Sequence, residues 1–177
     1  MSDTLRLTKA YHLAAQWHAA QKRKGAAGEP YINHLTEVAE LVALAGGDTD
    51  VIIAAILHDA IEDVGITREQ IASHFGDRIA GLVVEVTDDK SLPKQERKDA
   101  QVLHAPHKSP GARLIKVADK TSNLRSMLAS PPSHWDLKRR KEYLVWARKV
   151  VAALDEKNVW LSGQFNQAAE ALDASFA

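Results

Sequence analysis

The chain has 177 residues, no cysteine, and 23 basic and 23 acidic side chains, so its formal charge is zero. A single domain of this length buries roughly 70% of the surface of its unfolded chain without disulfides, and the lack of cysteine leaves His, Asp, Glu and water as metal ligands. Neutral charge argues against a general nucleic-acid or membrane-surface binder, and no apolar run approaches the roughly 20 residues that cross a bilayer.

The first nine residues are polar and mixed in charge, without the apolar segment of a signal peptide, so a cytoplasmic protein is expected. From there apolar residues recur at helical spacing along nearly the whole chain, and no stretch alternates as a strand does. We predict one all-α domain over residues 1–177, a compact bundle of about eight to ten helices. The predicted helices cover residues 4–21, 34–45, 51–63, 67–74, 76–87, 93–104, 109–128, 135–154 and 159–172.

Two of these helices begin with specific local signals. Thr67 with Gln70 three residues later is typical of a capping box. Ser109 before Pro110 is typical of a helix start, because proline fits the first helical position. Ligands are expected at the irregular stretches of a helical scaffold. These stretches are residues 22–32, 87–92 and 105–110.

The most informative stretch for function is the decapeptide Ala-Ala-Ile-Leu-His-Asp-Ala-Ile-Glu-Asp that ends at Asp63. On the predicted helix, His58 stands over Glu62, and Asp59 stands over Glu62 and Asp63. Burying four ionisable groups on one apolar helix is costly without a counter-charge, and residues 51–65 contain no Lys or Arg. A divalent metal supplies that charge and leaves two acids to handle water. The alternative is a solvated polar face, which predicts cationic partners at helical spacing.

Two ligands do not complete a metal site, and two further residues are candidates. His34 lies at the start of a predicted helix, where its ring can point away from the helix end. Asp119 lies on the flank of an apolar helix, with Asn123 one turn later. Taken alone, His34 is explained equally well as a helix-terminal polar residue, and Asp119 as the partner of a neighbouring lysine. Joined to the His58-Asp59 pair, they give the order His…His-Asp…Asp, which favours a metal site.

The order of His34, His58-Asp59 and Asp119 resembles the HD superfamily of metal-dependent phosphohydrolases. The resemblance extends to the hydrolase domain of RelA/SpoT proteins, and it covers about residues 8–150 with order and spacing kept. It looks most like the small stand-alone alarmone hydrolases of the metazoan type. The segments that carry it are Arg23-Lys24, Gly28-Glu29-Pro30-Tyr31-Ile32-Asn33-His34, His58-Asp59-x-x-Glu62-Asp63, Phe75-Gly76, Val86-Thr87-Asp88-Asp89-Lys90, Ser109-Pro110-Gly111-Ala112, Ala118-Asp119-Lys120 and Asn123-Leu124-Arg125.

The resemblance implies an HD-domain helical bundle that acts in the stringent response. It implies hydrolysis of the 3′-pyrophosphate of guanosine 3′,5′-bis(diphosphate) (ppGpp) or its pentaphosphate relative (pppGpp), giving GDP or GTP plus pyrophosphate. It also implies one divalent ion, usually Mn²⁺, on the four residues of that order. Imidazoles and carboxylates suit Mn²⁺ or Fe²⁺ and do not exclude zinc. Glu62 and Asp63 are expected to orient or deprotonate the attacking water.

Substrate contacts are expected from cations around this acidic site. By resemblance, Arg23 and Lys24 pack on the guanine, and an arginine plane stacks on a purine better than a lysine does. Asn123, one turn after Asp119, is expected to hold a phosphate or ribose oxygen. The other expected contacts are Lys94, Arg97 and Lys98 for the 5′-diphosphate, and Arg139 and Tyr143 on the nucleotide-facing side. A solvated helix face explains residues 94–98 equally well.

Three positions depart from the family pattern. Leu35 replaces the usual proline, Val64 replaces a threonine, and Thr121-Ser122 stands where an aromatic residue or His is common. None is a ligand, but the last position leaves the substrate preference open. Two other functions therefore stay open, a phosphohydrolase acting on another nucleotide such as NADPH and a non-catalytic alarmone sensor. The motifs leave the oligomeric state open as well.

Some ionisable and aromatic residues receive ordinary structural roles. His18 is predicted to be a polar or core position of the first helix. Trp146 is predicted to anchor the core. Asp88 and Asp89 are predicted to serve a turn.

Overall fold

The computed structural model describes residues 2–177, and these residues are predominantly helical. Their extended pairing is limited to one isolated bridge between Lys22 and Pro30. The helices are α1 (Asp3–Trp17), α2 (Ile32–Leu44), α3 (Thr49–Leu57), α4 (Ala60–Val64), α5 (Arg68–Phe75), α6 (Asp77–Val86), α7 (Lys94–His104), α8 (Pro110–Ala129), α9 (Leu137–Leu154) and α10 (Val159–Ala174), with a 3₁₀ turn over Ala105–His107. None of these helices is both long and apolar enough to cross a membrane. The predicted all-α fold is confirmed, whereas the single-domain organisation stays a prediction.

Local sequence signals set two helix starts as predicted. Thr67 Oγ1 accepts from the Gln70 N–H at 3.2 Å, and Gln70 Oε1 accepts from the Thr67 N–H at 2.8 Å, which closes the capping box of α5. Ser109 Oγ accepts from the Ala112 N–H at 3.3 Å, and Pro110 occupies the first position of α8. Both signals act because the first N–H groups of a helix lack partners within it.

The predicted helix over residues 51–63 is wrong, because the chain breaks at His58 and Asp59. α3 ends one residue before His58, α4 starts one residue after Asp59, and Asp59 adopts φ −100° and ψ 1°. At this turn the His58 ring donates to a backbone carbonyl of α3, and the Asp59 carboxylate accepts from Tyr31. Tertiary contacts outweigh helix propensity here, so the two side chains project from a turn and not from a helix face.

α3 lies at the centre of the bundle and is apolar on nearly all sides. Val51 and residues 53–57 are buried, and the helix packs against α1, α2, α6 and α8. A helix that is hydrophobic all round is stable only inside a core. Because α3 is held on several sides, the turn at its C-terminal end has a fixed position.

α8 is the second element that positions polar side chains in the interior. Residues 115–122 of this helix are buried without interruption, and they include Lys116, Asp119 and Lys120. Charged residues are rarely buried unless they are paired. This stretch of α8 must therefore face a polar interior, which lies at the end of α3.

Two glycines predict opposite responses to an added Cβ. Gly163 lies exposed inside α10, and a Cβ there meets nothing within 4 Å. We expect Gly163→Ala to raise the free energy of unfolding by about 0.5–1 kcal/mol, because alanine loses less backbone entropy in a helix. At Gly111 a Cβ lies 3.0 Å from Val51 Cγ2 and 3.1 Å from Leu82 Cδ2. We expect Gly111→Ala to lower that free energy by about 1–3 kcal/mol.

Denaturant unfolding of both variants measures the difference directly. The wild-type protein is the reference, and the denaturant dependence must stay unchanged for the comparison to hold. Equal changes in the free energy of unfolding of the two variants would contradict the close packing of α8 against α3 and α6.

Candidate active site

Four side chains from three parts of the fold converge at the end of α3. They are His34 from α2, His58 and Asp59 from the α3–α4 turn, and Asp119 from α8. His58 Nε2 lies 3.0 Å from Asp59 Oδ2 and 3.8 Å from Asp119 Oδ1, and His34 Nε2 lies 3.7 and 3.3 Å from the same two oxygens. The structure therefore brings together the four residues that the sequence predicts as metal ligands.

The hydrogen bonds of the two imidazoles fix which nitrogen faces the cluster. His58 Nδ1 lies 2.8 Å from the Ala55 carbonyl oxygen, and His34 Nδ1 lies 2.8 Å from Ser122 Oγ. A carbonyl only accepts, so His58 Nδ1 carries a proton, and Nε2 of the neutral ring presents a lone pair. In that neutral form the buried Nε2 has no donor to bind within residues 2–177, and it lies 3.0 Å from Asp59 Oδ2. A lone pair held against carboxylate oxygens calls for a cation between them, and a divalent metal fits this donor set.

The charge balance of the cluster also favours a cation. Burial opposes the charged form of His58, but the carboxylates of Asp59 and Asp119 outweigh it and raise the pKa of His58 to about 9. Burial also disfavours both ionised carboxylates. The pKa of Asp59 is nevertheless lowered by His58, and that of Asp119 is lowered by Lys120 and the two histidines. The carboxylates thus stay ionised and attract a further positive charge, which a proton or a metal ion supplies.

Neighbouring side chains hold each carboxylate of the cluster. Tyr31 Oη donates to Asp59 Oδ2 at 2.6 Å. Asn123 Nδ2 donates to Asp119 Oδ1 at 2.6 Å, and Lys120 Nζ donates to Asp119 Oδ2 at 2.8 Å. The lysine pairing that the sequence allows for Asp119 therefore exists, and it coexists with the cluster. Such outer partners orient metal ligands and fix their rotation.

Glu62 and Asp63 on α4 lie beside the cluster, and their surroundings differ. Asp63 Oδ2 accepts from Gln21 Nε2 at 2.7 Å, and Asp63 Oδ1 accepts from Lys90 Nζ at 2.8 Å. Glu62 Oε2 accepts from the backbone N–H of Asp88 at 3.3 Å. Burial, followed by the charge of Asp88, raises the pKa of Glu62 above its ordinary value. The proton affinity of Glu62 is thus increased, whereas Asp63 is held at both oxygens.

A cleft of about 440 Å³ opens over the cluster and the acid pair. α7 contributes Lys94, Arg97 and Lys98 to its wall, and α9 contributes Arg139 and Tyr143. The structure therefore brings these predicted contact residues together, and their roles stay predictions. Eight basic and six acidic side chains line the cleft, so it carries surplus positive charge before any metal is added. Such a wall suits a ligand with several phosphate groups.

A second cavity, of about 320 Å³, adjoins the cleft and contains the Arg23-Lys24 pair. The Arg23 guanidinium donates to Asn123 Oδ1 at 2.8 Å and lies 5.5 Å from the centre of the Tyr31 ring. Gly25 follows at a close approach, where a Cβ would lie 2.3 Å from the backbone carbonyl oxygen that follows α8. Only glycine fits there, so this loop is held against the end of α8.

Several cleft residues are not predicted as site residues from the sequence, among them Trp146, Asp88, Lys116 and Lys120. Trp146, predicted as a core anchor, lies half-buried with the ammonium groups of Lys98 and Lys120 at 5.0 and 4.7 Å from its ring centre. Asp88, predicted as a turn residue, has a carboxylate 3.4 Å from Lys116 Nζ. Lys116 and Lys120 are only 8% and 4% exposed. Two lysines one turn apart inside an apolar helical run are a sequence signal for a buried anionic site.

The chain matches the HD domain family model over residues 10–148, and it belongs to this family. The guanosine-3′,5′-bis(diphosphate) 3′-pyrophosphohydrolase MESH1 of Homo sapiens is 46% identical over 159 residues, 89% of each protein. The protein of the same name from Mus musculus is 45% identical over 168 residues, 94% of each. A solved structure, described as a metazoan ortholog of SpoT that hydrolyzes ppGpp and plays a role in starvation responses, has a TM-score of 0.89 at 40% identity and covers 93% of this chain and 94% of its own. These likenesses confirm the resemblance that the motifs indicate.

Proposed function

We propose that this protein is a metal-dependent guanosine-3′,5′-bis(diphosphate) 3′-pyrophosphohydrolase. It hydrolyses ppGpp or pppGpp to GDP or GTP plus pyrophosphate. The observation that carries the proposal is the His-Asp cluster at the floor of a cleft with surplus positive charge. The likeness to proteins with this printed activity supports the choice of substrate. A cytoplasmic location stays a prediction.

The metal ion is proposed to be Mn²⁺, held by His34, His58, Asp59 and Asp119. Two imidazoles and two carboxylates are ligands that manganese and iron accept readily. When bound, the ion polarises a phosphoryl oxygen and lowers the pKa of a water molecule. His34 is oriented for this role by Ser122, whose hydroxyl also donates to Glu37 at 2.6 Å.

Glu62 and Asp63 are proposed to divide the work on the attacking water. Glu62, whose proton affinity is raised, takes the proton from the water as it attacks the 3′-phosphoryl group. General-base assistance of this kind contributes roughly 10²–10⁴-fold to the rate. Asp63, held by Gln21 and Lys90, accepts the second hydrogen bond of the water and directs its lone pair. The proton then passes to the ribose 3′-oxygen as its bond to phosphorus breaks.

The 5′-diphosphate is proposed to lie against α7. Lys94, Arg97 and Lys98 line the same wall of the cleft, and their charges offset those of the phosphates. The Lys98 ammonium lies 5.0 Å from the ring centre of Trp146, a cation–π contact that limits its motion. A fixed cation loses less entropy on binding phosphate than a free one does.

The guanosine end is proposed to enter the adjoining cavity. Arg23 and Lys24 face the base there, and Asn123, which lines both cavities, holds a ribose or phosphate oxygen. Arg139 and Tyr143 of α9 bound the nucleotide from the opposite side. Each of these groups offers a donor or a flat surface, which purine nucleotides require.

Product analysis with Mn²⁺-loaded protein tests the proposed function. We expect GDP and pyrophosphate from ppGpp, and we expect His58→Ala to abolish their release, because the cluster loses a nitrogen ligand. NADPH is the control substrate. Phosphate release from NADPH, without pyrophosphate release from ppGpp, would support the assignment of the active site but would show that the substrate is another nucleotide. Protein that takes up Mn²⁺ but hydrolyses neither nucleotide would favour the non-catalytic sensor.

A further inference from the structure

His18, at the C-terminal end of α1, is a buried histidine outside the metal cluster. His18 is only 2% exposed, and its ring stacks on the ring of Tyr31, with the ring centres 5.4 Å apart and the ring planes at 18° to each other. His18 Nδ1 lies 2.5 Å from the side-chain oxygen of Gln21. Gln21 Nε2 in turn donates to Asp63 Oδ2 at 2.7 Å. A hydrogen-bond chain therefore runs from α1 to one of the two acids beside the cluster.

The direction of each hydrogen bond in this chain is determined by its partners. An ionised carboxylate only accepts, so the amide group of Gln21 must turn its NH₂ towards Asp63. The amide oxygen then faces His18, and because it also only accepts, His18 Nδ1 must carry a proton. The flipped amide would place its oxygen against the Asp63 carboxylate, which costs one hydrogen bond and adds repulsion.

The other nitrogen of His18 supports the same protonation. His18 Nε2 is buried and has no partner within residues 2–177. A buried N–H without an acceptor is costly, whereas the proton on Nδ1 finds the Gln21 oxygen. A leucine in this place would pack against the Tyr31 ring without any unpaired polar atom. The polarity of His18 therefore serves its hydrogen bond to Gln21 and not the packing.

Two side chains donate to Asp63, and they differ in what holds them in place. Lys90, on the loop between α6 and α7, donates to one oxygen, but its side chain is 47% exposed. Gln21 donates to the other oxygen through a hydrogen bond that is also open to solvent, but its amide is held from the opposite side by the buried ring of His18. An exposed lysine holds its partner weakly, because water and side-chain entropy compete with the contact. The hydrogen-bond chain of His18 and Gln21 therefore sets the orientation of the Asp63 carboxylate.

We infer that His18 and Gln21 are positioning residues for hydrolysis, which act by holding Asp63 in the orientation that directs the attacking water. The inference rests on the proposed function, because it assigns Asp63 a role in that reaction. It explains why a glutamine occupies this position. An amide side chain offers both an acceptor for the His18 N–H and a donor for the Asp63 carboxylate, which Met, Leu, Glu or Lys in the same place would not.

Steady-state kinetics of Gln21→Met tests the inference, with Gln16→Met on the exposed face of α1 as the matched control. Methionine keeps the length of glutamine and makes neither hydrogen bond. We expect kcat to fall on the order of 10–100-fold, since a misplaced catalytic group costs that much. The Mn²⁺ dissociation constant should stay within about twofold of wild type, because the cluster is not touched. Gln21 also lines the cavity proposed for guanosine, so kcat and not KM is the readout of the Asp63 orientation. Turnover equal to that of Gln16→Met would overturn the inference.

Variants of His18 separate the hydrogen bond from packing. Asparagine places an amide N–H close to the position of Nδ1, so His18→Asn should keep kcat within roughly threefold of wild type. His18→Leu keeps the bulk of the side chain but removes the N–H donor. Its kcat should fall by as much as that of Gln21→Met. Equal losses in the two His18 variants, or retention by leucine, would show that the ring acts through packing alone.

Nuclear magnetic resonance gives a readout that does not depend on the substrate. Long-range ¹H–¹⁵N correlations should place the His18 proton on Nδ1 in wild type, and this preference should be lost in Gln21→Met. A proton on Nε2 would overturn the inference even if ppGpp is hydrolysed. If wild-type protein leaves ppGpp intact, the proposed function fails. The position of the His18 proton then decides separately whether the chain to Asp63 exists.

Discussion

Asp59→Asn is expected to abolish Mn²⁺ binding at the cluster and to lower turnover of ppGpp by at least about 10³-fold. Asp59 Oδ2 is one of the two carboxylate oxygens that both histidines approach, at 3.0 Å from His58 Nε2 and 3.7 Å from His34 Nε2. Asparagine keeps the shape of the side chain but removes the negative charge that a divalent ion requires. Loss of metal-assisted charge stabilisation costs several kcal/mol, and each 1.36 kcal/mol is about tenfold in rate.

Calorimetric titration with Mn²⁺ and a ppGpp turnover assay measure the two effects. Asp99→Asn on the exposed side of α7 is the control, because it removes the same charge outside the cleft. Circular dichroism should show unchanged helix content in both variants. Wild-type Mn²⁺ affinity in Asp59→Asn would exclude Asp59 as a ligand. Lost metal binding with full turnover would exclude a metal-dependent reaction.

Glu62→Gln is expected to lower kcat by roughly 10²–10⁴-fold while Mn²⁺ still binds. The amide has the size of the acid but cannot accept the proton of the attacking water. Glu62 contributes no ligand atom to the cluster, so the metal affinity should stay close to that of wild type. Near-normal turnover in Glu62→Gln would exclude it as the general base, and parallel loss of Mn²⁺ would make it a ligand.

The pH dependence of kcat/KM provides a second test of Glu62. A general base works in its ionised form, so activity should be present at high pH and should be lost as the pH falls through the pKa of Glu62. Burial, then Asp88 and Asp59, raise that pKa, whereas Lys116 lowers it. The acidic limb of the profile, where kcat/KM falls as the pH is lowered, should therefore lie at a higher pH than the ordinary pKa range of a glutamate.

Asp88→Asn should move this acidic limb to lower pH. The backbone N–H that Asp88 donates to Glu62 is kept, but the like charge of its carboxylate is removed. Asp89→Asn is the matched control, because the neighbouring Asp89 carboxylate is exposed and bonds Ser91. A limb that stays in place in Asp88→Asn, or shifts equally in both variants, would contradict the assignment of the limb to Glu62.

The amino-acid sequence is sufficient to predict the fold class and the four side chains that converge at the end of α3. Helical period and local caps such as Thr67 with Gln70 depend on neighbours in the chain, so they can be read without tertiary structure. The order of the four cluster residues predicts that they act together, because a resembling family keeps both residue type and spacing. The comparisons confirm the family, and the structure places the four side chains together.

Tertiary structure alone shows which residues surround the cluster and what they contact. The break at the His58-Asp59 turn, the exposure of Trp146 to the cleft and the contact of Asp88 with Glu62 are not encoded in local patterns. The sequence separations explain why: the partners are 26 positions apart in the Asp88–Glu62 bond and 42 positions apart in the Gln21–Asp63 bond. Burial and hydrogen-bond pairing at such distances depend on how the helices pack. A buried His, Lys or Asp therefore gains its role only when the bundle has closed around it.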